Sequence, residues 1–278
     1  MNGMRLSLAG FSAGTVALLL ATSAGAAQQK SVELDYEVWA GGLQAMSLET
    51  RMLRAQDRYQ VDVTVESAGM LGRLFPFKLS ASTQGTRQAE SRDNPRPDAY
   101  EVRSKWRDQD RLVAIDYDAA AKPLVKVDPP AEDDNRDPVP MDQILGTVDP
   151  MSAVLTLLEQ SAVLGRCQGE IPVFDGRRRY DMVVRHIGPA EVSETSYSPY
   201  AGPAVECRAG MKKIGGFWHD TDEDEHDYNE LRIFLAPILE DVPPVPVRLE
   251  AKNDFFSIII HMVDARLSRG MQPAGLDF

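Results

Sequence analysis

The chain lacks the short arrangements of residues that announce an active site. It has no Gly-x-Ser-x-Gly elbow and no His-Glu-x-x-His pair. Those spacings place a nucleophile on a strained turn, or two imidazoles on one face of a helix. Histidine is scarce: His186, His219, His226 and His261 are the four present, and neither His186 nor His261 has a serine, cysteine or carboxylate at a family-specific spacing. Triads assemble in space rather than along the chain, so a hydrolase with an unrecognised site stays open as a third alternative. Cysteine is scarcer still. Cys167 and Cys207 stand far apart with no neighbouring histidine, which excludes a zinc site. Positive charge is in deficit, with 30 Lys and Arg against 42 Asp and Glu and a net charge of -12. That balance excludes nucleic acid and anionic membrane surfaces as main partners. Beyond the N-terminal stretch no apolar run approaches the ~18 residues of a membrane helix. No internal repeat or ordinary domain linker is visible, and no cofactor is expected.

The N-terminal stretch has the layout of a secretory signal peptide. Arg5 precedes an uncharged, Leu- and Ala-rich core from Leu6 to Leu20, and Ala24-Gly25-Ala26 offers small residues for cleavage. The alternative, an N-terminal membrane anchor, would need a longer core. No cysteine lies near the cleavage site, so lipid attachment there is excluded. The expected organisation is residues 1–26 as signal peptide, 27–270 as a single curved β-sheet domain and 271–278 as a C-terminal tail. Cleavage near Ala26 removes one charge, Arg5, and leaves 252 residues of net charge -13 in the periplasm. In an exported chain two cysteines read as a disulfide worth about 4 kcal/mol, the alternative being two buried thiols.

Period-two alternation dominates the remainder. Val32, Leu34, Tyr36 and Val38 alternate with acids, as do Tyr59, Val61, Val63 and Val65 with polar residues. Tyr100, Val102 and Trp106, then Val205, Cys207, Ala209 and Met211, then Val245, Val247 and Leu249 repeat the pattern. Strands with one wet and one dry face belong to antiparallel sheets. Gly41-Gly42 and Asp175-Gly176 supply turn signals, the second a strong two-residue hairpin signal. One helix stands out. Asp149 is an N-cap, Pro150 fits the first helical position and Gly165 is a stop. Its apolar residues, from Met151 to Leu164, reach nearly all round. Such a helix must be buried on several sides, which a flat sheet cannot do and a strongly curved one can. The predicted fold is therefore mainly β: a strongly curved antiparallel sheet, a half-barrel or open barrel, wrapping one buried helix.

Four segments carry functional candidates. The closing stretch from Phe255 to Val263 is apolar on both faces, either as a covered central strand or as the wall of a cavity or partner surface. The connection from Gly69 to Phe77 is unusually apolar, either a short helical turn plugging one end of the core or a greasy lip for a lipid or protein. From these two segments come Met70, Leu71, Leu74, Phe75, Phe77, Phe255 and Ile259 as the candidate apolar ligand or partner surface. Arg177-Arg178-Arg179 could grip a phosphate or carboxylate, but in a strand they alternate between faces, and Asp175 and Asp181 are near enough to pair with them. His219 to His226 holds an acidic run that imitates the start of a calcium loop. It has Glu225 where glycine is needed and Leu231 where a glutamate is needed, so it reads as a solvated loop rather than a metal site. The segment from Pro129 to Pro140, with four prolines and four acids, reads as a second exposed loop.

Several of these segments occur together in a recognisable order: Gly69-Met70-Leu71, the Asp149-Pro150-Met151-Ser152-Ala153 helix start, Cys167, Phe174-Asp175-Gly176-Arg177-Arg178-Arg179-Tyr180-Asp181, Ala204-Val205-Glu206-Cys207 and Pro246-Val247-Arg248. In this the chain resembles the exported bacterial proteins grouped as domain of unknown function 3108, from about Tyr36 to about Arg266. Phe174, Asp175, Gly176, Arg177, Arg178, Tyr180 and Asp181 are its most specific part. The resemblance implies an envelope location, pairing of Cys167 with Cys207, no catalytic residues, and an outline like the periplasmic lipoprotein carriers, whose hollow holds acyl chains. The function expected is a non-enzymatic periplasmic protein binding a lipid or other apolar ligand in the hollow of its sheet. The alternative is an envelope assembly or protein-interaction module with no small-molecule ligand.

Overall fold

The computed structural model describes residues 30–55, 57–87, 95–107, 109–130, 135–219, 231–252 and 257–269. The stretches expected as signal peptide (residues 1–26) and C-terminal tail (271–278), together with Phe255, His226 and the acidic run after His219, lie outside the described residues. β1 (Lys30–Ala40), β2 (Leu43–Arg54) and β3 (Arg58–Ser67) lead to the short helix α1 (Gly69–Leu74). β4 (Phe77–Thr86), β5 (Arg96–Trp106), β6 (Gln109–Tyr117) and β7 (Pro123–Asp128) continue outward to one edge. The chain then crosses to the opposite edge through α2 (Met141–Ile144) and α3 (Pro150–Leu164). From there β8 (Gly169–Phe174), β9 (Arg179–Val192), β10 (Gly202–Gly215), β11 (Leu231–Ala236) and β12 (Val245–Lys252) return toward the middle. The last strand, β13 (Ser257–Arg269), pairs antiparallel with β1 at the centre. Among the described residues this makes a single 13-stranded antiparallel sheet whose edges, β7 and β8, are not joined by hydrogen bonds.

The alternation explains the inner face. Val32, Leu34 and Tyr36 of β1, Tyr59 and Val61 of β3, and Val245 and Val247 of β12 are buried in one core with Leu155 of α3. The intervening Glu33 and Asp35 point outward, where both pair with Arg266 across the β1–β13 ladder. Gly41 and Gly42 both take positive φ, 55° and 84°, as a two-residue hairpin turn requires. The inner face of β10 carries Cys207 with Val205 and Ala209 beside it, and Ala204 joins the central core, while Met211 further along is exposed; the register shift opposite Glu206 and Cys207 leaves its extra residue, Ile187, on β9.

α3 is capped as expected. The Asp149 carboxylate accepts from the backbone N–H of Met151 (2.9 Å) and Ser152 (3.0 Å), and Gly165 ends the helix in the left-handed region. Leu155 packs on the central core, Leu157 and Leu158 pack on the disulfide cluster, and Ala153 packs on β8. The burial is broad but not complete. Val154 and Leu164 are exposed and Val163 is 74% exposed, because an open sheet leaves one strip of the helix and its last turn in water. Cys167, just beyond Gly165, is bonded to Cys207 of β10 with the Cα atoms 6.0 Å apart, tethering the end of the helix to the inner face.

A buried polar cluster bolts the start of α3 to the sheet. Thr83 Oγ1 of β4 donates to Asp149 Oδ2 (2.9 Å), Ser152 Oγ donates to the same oxygen, and Tyr59 Oη lies 2.7 Å from Ser152 Oγ. Burial holds the Asp149 carboxyl above its ordinary 3.8, against the opposing hydrogen bonds from Ser152, Thr83 and Met151. The folded state thus keeps this proton to higher pH than the unfolded chain. Its contribution to stability is fully present below pH 3.8 and is lost as pH rises through the raised folded value. Asp149→Ala should lose about 2 kcal/mol, through the cap and the orphaned hydroxyls. Asp149→Asn, which keeps the cap acceptor, should lose less and should flatten that pH slope. Urea unfolding of both variants across pH 4 to 8 checks this, and an unchanged slope in Asp149→Asn would contradict it.

Of the two readings of the closing strand, the covered central strand holds. Ile260 and Met262 of β13 pack inward. On the outer face His261 is buried beneath Tyr197 (ring centroids 5.9 Å apart), which also packs on Trp39 (4.1 Å). Ile259 pairs with Trp39 and lies two residues from His261, so it belongs to this outer face and not to the hollow. The stretch from Pro129 to Pro140 is also not a purely exposed loop. Arg136 is buried and bridges to Trp218, and Val139 packs against the cluster of Ile144 and Phe174.

Candidate functional site: a cation-rimmed apolar cleft

The β8–β9 hairpin builds the site. Its tip is a turn from Asp175 to Arg178, closed by the Asp175 N–H donating to the Arg178 carbonyl (3.2 Å), so the central pair is Gly176-Arg177 and not the Asp175-Gly176 expected; the Asp175 side chain adds further turn hydrogen bonds. Oδ1 of Asp175 accepts from the backbone N–H of Arg177 (3.0 Å) and Arg178 (2.6 Å), and Oδ2 accepts from Arg178 Nε (2.7 Å). Gly176 sits at φ 90°, and a Cβ there would lie 2.2 Å from Val113 Cγ1. The tip is therefore pressed against the inner face of β6. Phe174 completes the contact, buried with Tyr100, Ile115 and Ile144. Behind the tip, Gly216 backs onto the Arg177 carbonyl so closely that a Cβ would stand 1.9 Å from its oxygen. Side-chain packing thus spans the gap that strand hydrogen bonds leave open.

The tandem arginines divide their tasks. Arg178 pairs with Asp175, and Arg179 pairs with Asp181 (2.7 Å), as the charge pattern suggested. Arg177 is buried and donates from Nη2 to the Pro129 carbonyl (2.8 Å).

Between the hairpin tip and the inner faces of β3 to β6 lies a cleft of about 410 Å³, within the size of small-ligand sites. Val63, Leu79, Ala81, Val102, Val113 and Met151 form its apolar wall. Arg111, Arg136, Arg177 and Arg178 line it as well, with Asp175 the one carboxylate among its described lining residues. Arg136 is held by the Gly216 carbonyl (3.1 Å) and stacks 4.3 Å over the Trp218 ring. Burial pushes the hydroxyls of Tyr100 and Tyr180 upward, Tyr180 to about 12, so both stay neutral in ordinary conditions.

The apolar connection lies beside this cleft. On the ladder between β4 and β5, the Phe77–Trp106 pair is two residues beyond the Leu79–Ser104 pair, or ~7 Å along the strands. The Phe77 and Trp106 rings are 6.0 Å apart, and Trp106 is exposed. The segment does form a helical turn, α1, but it plugs nothing: none of its residues is buried. Met70 is 69% exposed, Leu74 and Phe75 are exposed, and Leu71 and Phe77 are half-buried. Of the candidate surface, Met70, Leu71, Leu74, Phe75 and Phe77 come together, while Ile259 stands apart on the outer face.

Arg111, Arg136 and Trp218 were not singled out by sequence reasoning. Arg111 had a readable signal: it opens the inward stripe Arg111, Val113, Ile115, Tyr117, a cation where the pattern asks for an apolar residue. Arg136 had none, since only the fold brings residue 136 to Gly216. The described histidines do not join the buried hydroxyl–carboxylate cluster at Asp149. His186 is exposed with Nδ1 3.7 Å from Cys167 Sγ, and His219 bonds Asn135 and Asp137. His261 is on the outer face, where burial first and the Arg248 charge second hold it below its ordinary 6.5. Among the described residues no group of three or more His, Cys, Asp or Glu is placed to hold a metal, and no helix is long and apolar enough to cross a membrane.

An open antiparallel sheet curled round a helix, with its edges bridged by a hairpin tip, defines a barrel-like β protein. The fold is similar to the crystal structure of a β-barrel-like protein of domain of unknown function DUF1849 from Brucella abortus, at a TM-score of 0.52 and 10% identity over 87% of this chain and 98% of that one. A domain from Vibrio parahaemolyticus, assigned by name to outer membrane lipoprotein sorting, aligns at a TM-score of 0.22 and 9% identity over 89% of this chain and 87% of that one. No curated protein matches the chain. The family model described as Protein of unknown function (DUF3108) matches residues 33–262, and the chain belongs to that family.

Proposed function

We propose that this chain is a non-enzymatic protein of the cell envelope that shelters a lipid or another apolar ligand in the hollow of its sheet. The observation that carries this reading is the cleft of about 410 Å³ with its apolar wall, beside the exposed side chains of Met70, Leu74, Phe75 and Trp106. Apolar surface left in water on this scale marks a ligand or partner site. Association would be driven by burial at ~25 cal/mol per Å². The leader from Arg5 to Ala26 supports a periplasmic location, as does the Cys167–Cys207 disulfide, a bond that persists in oxidising compartments.

Native mass spectrometry and lipid extraction of protein purified from the periplasm test the proposal, with a copurified apolar ligand as the expected result. Ala81→Trp, which fills the wall of the cleft, should weaken binding of the fluorescent probe N-phenyl-1-naphthylamine by at least about tenfold while costing only ~1–3 kcal/mol of stability. No copurified ligand, together with equal probe binding by both proteins, would sink the reading. A second reading, a protein-interaction module, is favoured by one observation. The edge strand β7 exposes Leu124 and Val125, and an unpaired edge can accept a strand from a partner.

A further inference from the structure

The short helix α1 is seated through its backbone and not through its side chains. A Cβ on Gly69 would lie 3.0 Å from the Gln44 carbonyl oxygen, and one on Gly72 would lie 2.7 Å from the Ser67 carbonyl oxygen. The N–H of Ala68 donates to the Ala45 carbonyl (2.8 Å), which fixes the helix beside the start of β2. With its glycines turned to the sheet, α1 sends its apolar side chains outward, so Met70, Leu74 and the adjoining Phe75 are exposed. Leu43, which opens β2, and Trp106, which ends β5, are exposed as well. The antiparallel order places the start of β2 and the ends of β3 and β5 on one rim of the sheet. A row of large apolar side chains therefore stands in water along that rim. It is too small to hold a second copy of the chain or another folded protein by itself, since standard interfaces take ~20–30 residues from each side. A bilayer asks for less: a few apolar and aromatic side chains that reach past the headgroups make an interfacial anchor. The charges suit that surface. No carboxylate occurs from Gly69 to Phe77, and Arg73, in the last turn of α1, has no acidic partner among the described residues. Lys78 and Lys105, at the margin of the row, are paired with Glu66 and Asp110. A guanidinium on a long apolar stem can reach phosphates while its stem stays among apolar groups.

We infer that this rim docks on a phospholipid bilayer, with Leu43, Met70, Leu74, Phe75 and Trp106 entering the interfacial layer and Arg73 lying among the headgroup phosphates. The net charge of -12 keeps an anionic surface from drawing in the molecule as a whole, and the contact inferred is local and held by apolar insertion. Docking goes beyond the carrier reading and stands without it. Where both hold, the cleft opens beside a source of lipid.

Flotation with phosphatidylcholine vesicles tests this on the protein purified from the periplasm, which should rise with the vesicles. Leu74→Ser/Phe75→Ser should lower the vesicle partition coefficient at least about tenfold, the scale expected when two large apolar side chains no longer leave water. Its urea midpoint should match the parent's, because neither side chain is buried. Ile187→Ser, at an exposed apolar residue of β9, should leave partitioning unchanged. Ala81→Trp should float as the parent does, so that docking and cleft binding are read separately. A parent protein that stays out of the vesicles, or a Leu74→Ser/Phe75→Ser protein that floats as well as the parent, would overturn the inference and leave the carrier reading to its own test. Loss of flotation in Ala81→Trp would overturn it too, since the vesicles would then be acting through the cleft. Sedimentation equilibrium covers the remaining occupant: a parent dimer that Leu74→Ser/Phe75→Ser abolishes would assign the rim to a second copy of the chain instead.

Discussion

Gly216→Ala should lower the stability of the protein by about 3 kcal/mol or more, the scale of a forced backbone rearrangement. The added Cβ would stand 1.9 Å from the Arg177 carbonyl oxygen and 2.7 Å from Val139 Cγ2, on a residue whose φ is +75°. No rotamer relieves a collision with a backbone oxygen, so the end of β10 must move away from the hairpin tip. Arg136, which donates to the Gly216 carbonyl, must move with it. Urea unfolding measures the loss, and probe binding by the surviving folded fraction reports the damage to the cleft. Gly176→Ala offers a comparison within the same tip: its nearest obstacle is Val113 Cγ1, a side-chain end that can turn aside. A Gly216→Ala protein with parental stability would mean that the tip is not clamped there.

Removing the disulfide should cost about 4 kcal/mol. Cys167 and Cys207 are 40 residues apart in sequence, and closing a loop of that length restricts the unfolded chain by about this much on the entropy model. The bond also joins the end of α3 to β10, with both sulfurs buried beside Leu157, Leu158 and Ile233. The double variant Cys167→Ala/Cys207→Ala and the reduced parent protein should therefore unfold at similarly lowered denaturant concentrations. Equal stability of oxidised and reduced protein would rule out the tether as a main support of the fold.

Much of the architecture is legible in the residues because it is local. Alternation identifies β1, β3 and β12, and the Asp149, Pro150 and Gly165 signals bound α3 on both sides. The one surprise in α3, the exposure of Val163 and Leu164, arises because apolar content says what prefers to be buried, not whether the fold has cover left to give. The same holds for α1, whose apolar Met70 and Leu74 suggest a plug, although the fold leaves them in water. The cleft was legible only in part. The motif from Phe174 to Asp181 is visible as a turn and a charge cluster, yet its contact with Val113 joins strands from opposite edges of the sheet. Neither alternation nor turn chemistry carries information at that range. Arg136 meets Gly216 by the same kind of long-range placement.

The pairing of β1 with β13 bears on how the molecule is made. Lys30 lies opposite Arg269, so the earliest ribbon of the sheet has for its neighbour the one that leaves the ribosome last. One flank of β1 is matched at once by β2, and the other must wait until β13 has been made. During that interval it presents a row of bare amides and carbonyls, the template on which stray polypeptides stack. A chain laid out from its middle in this way is committed to late closure.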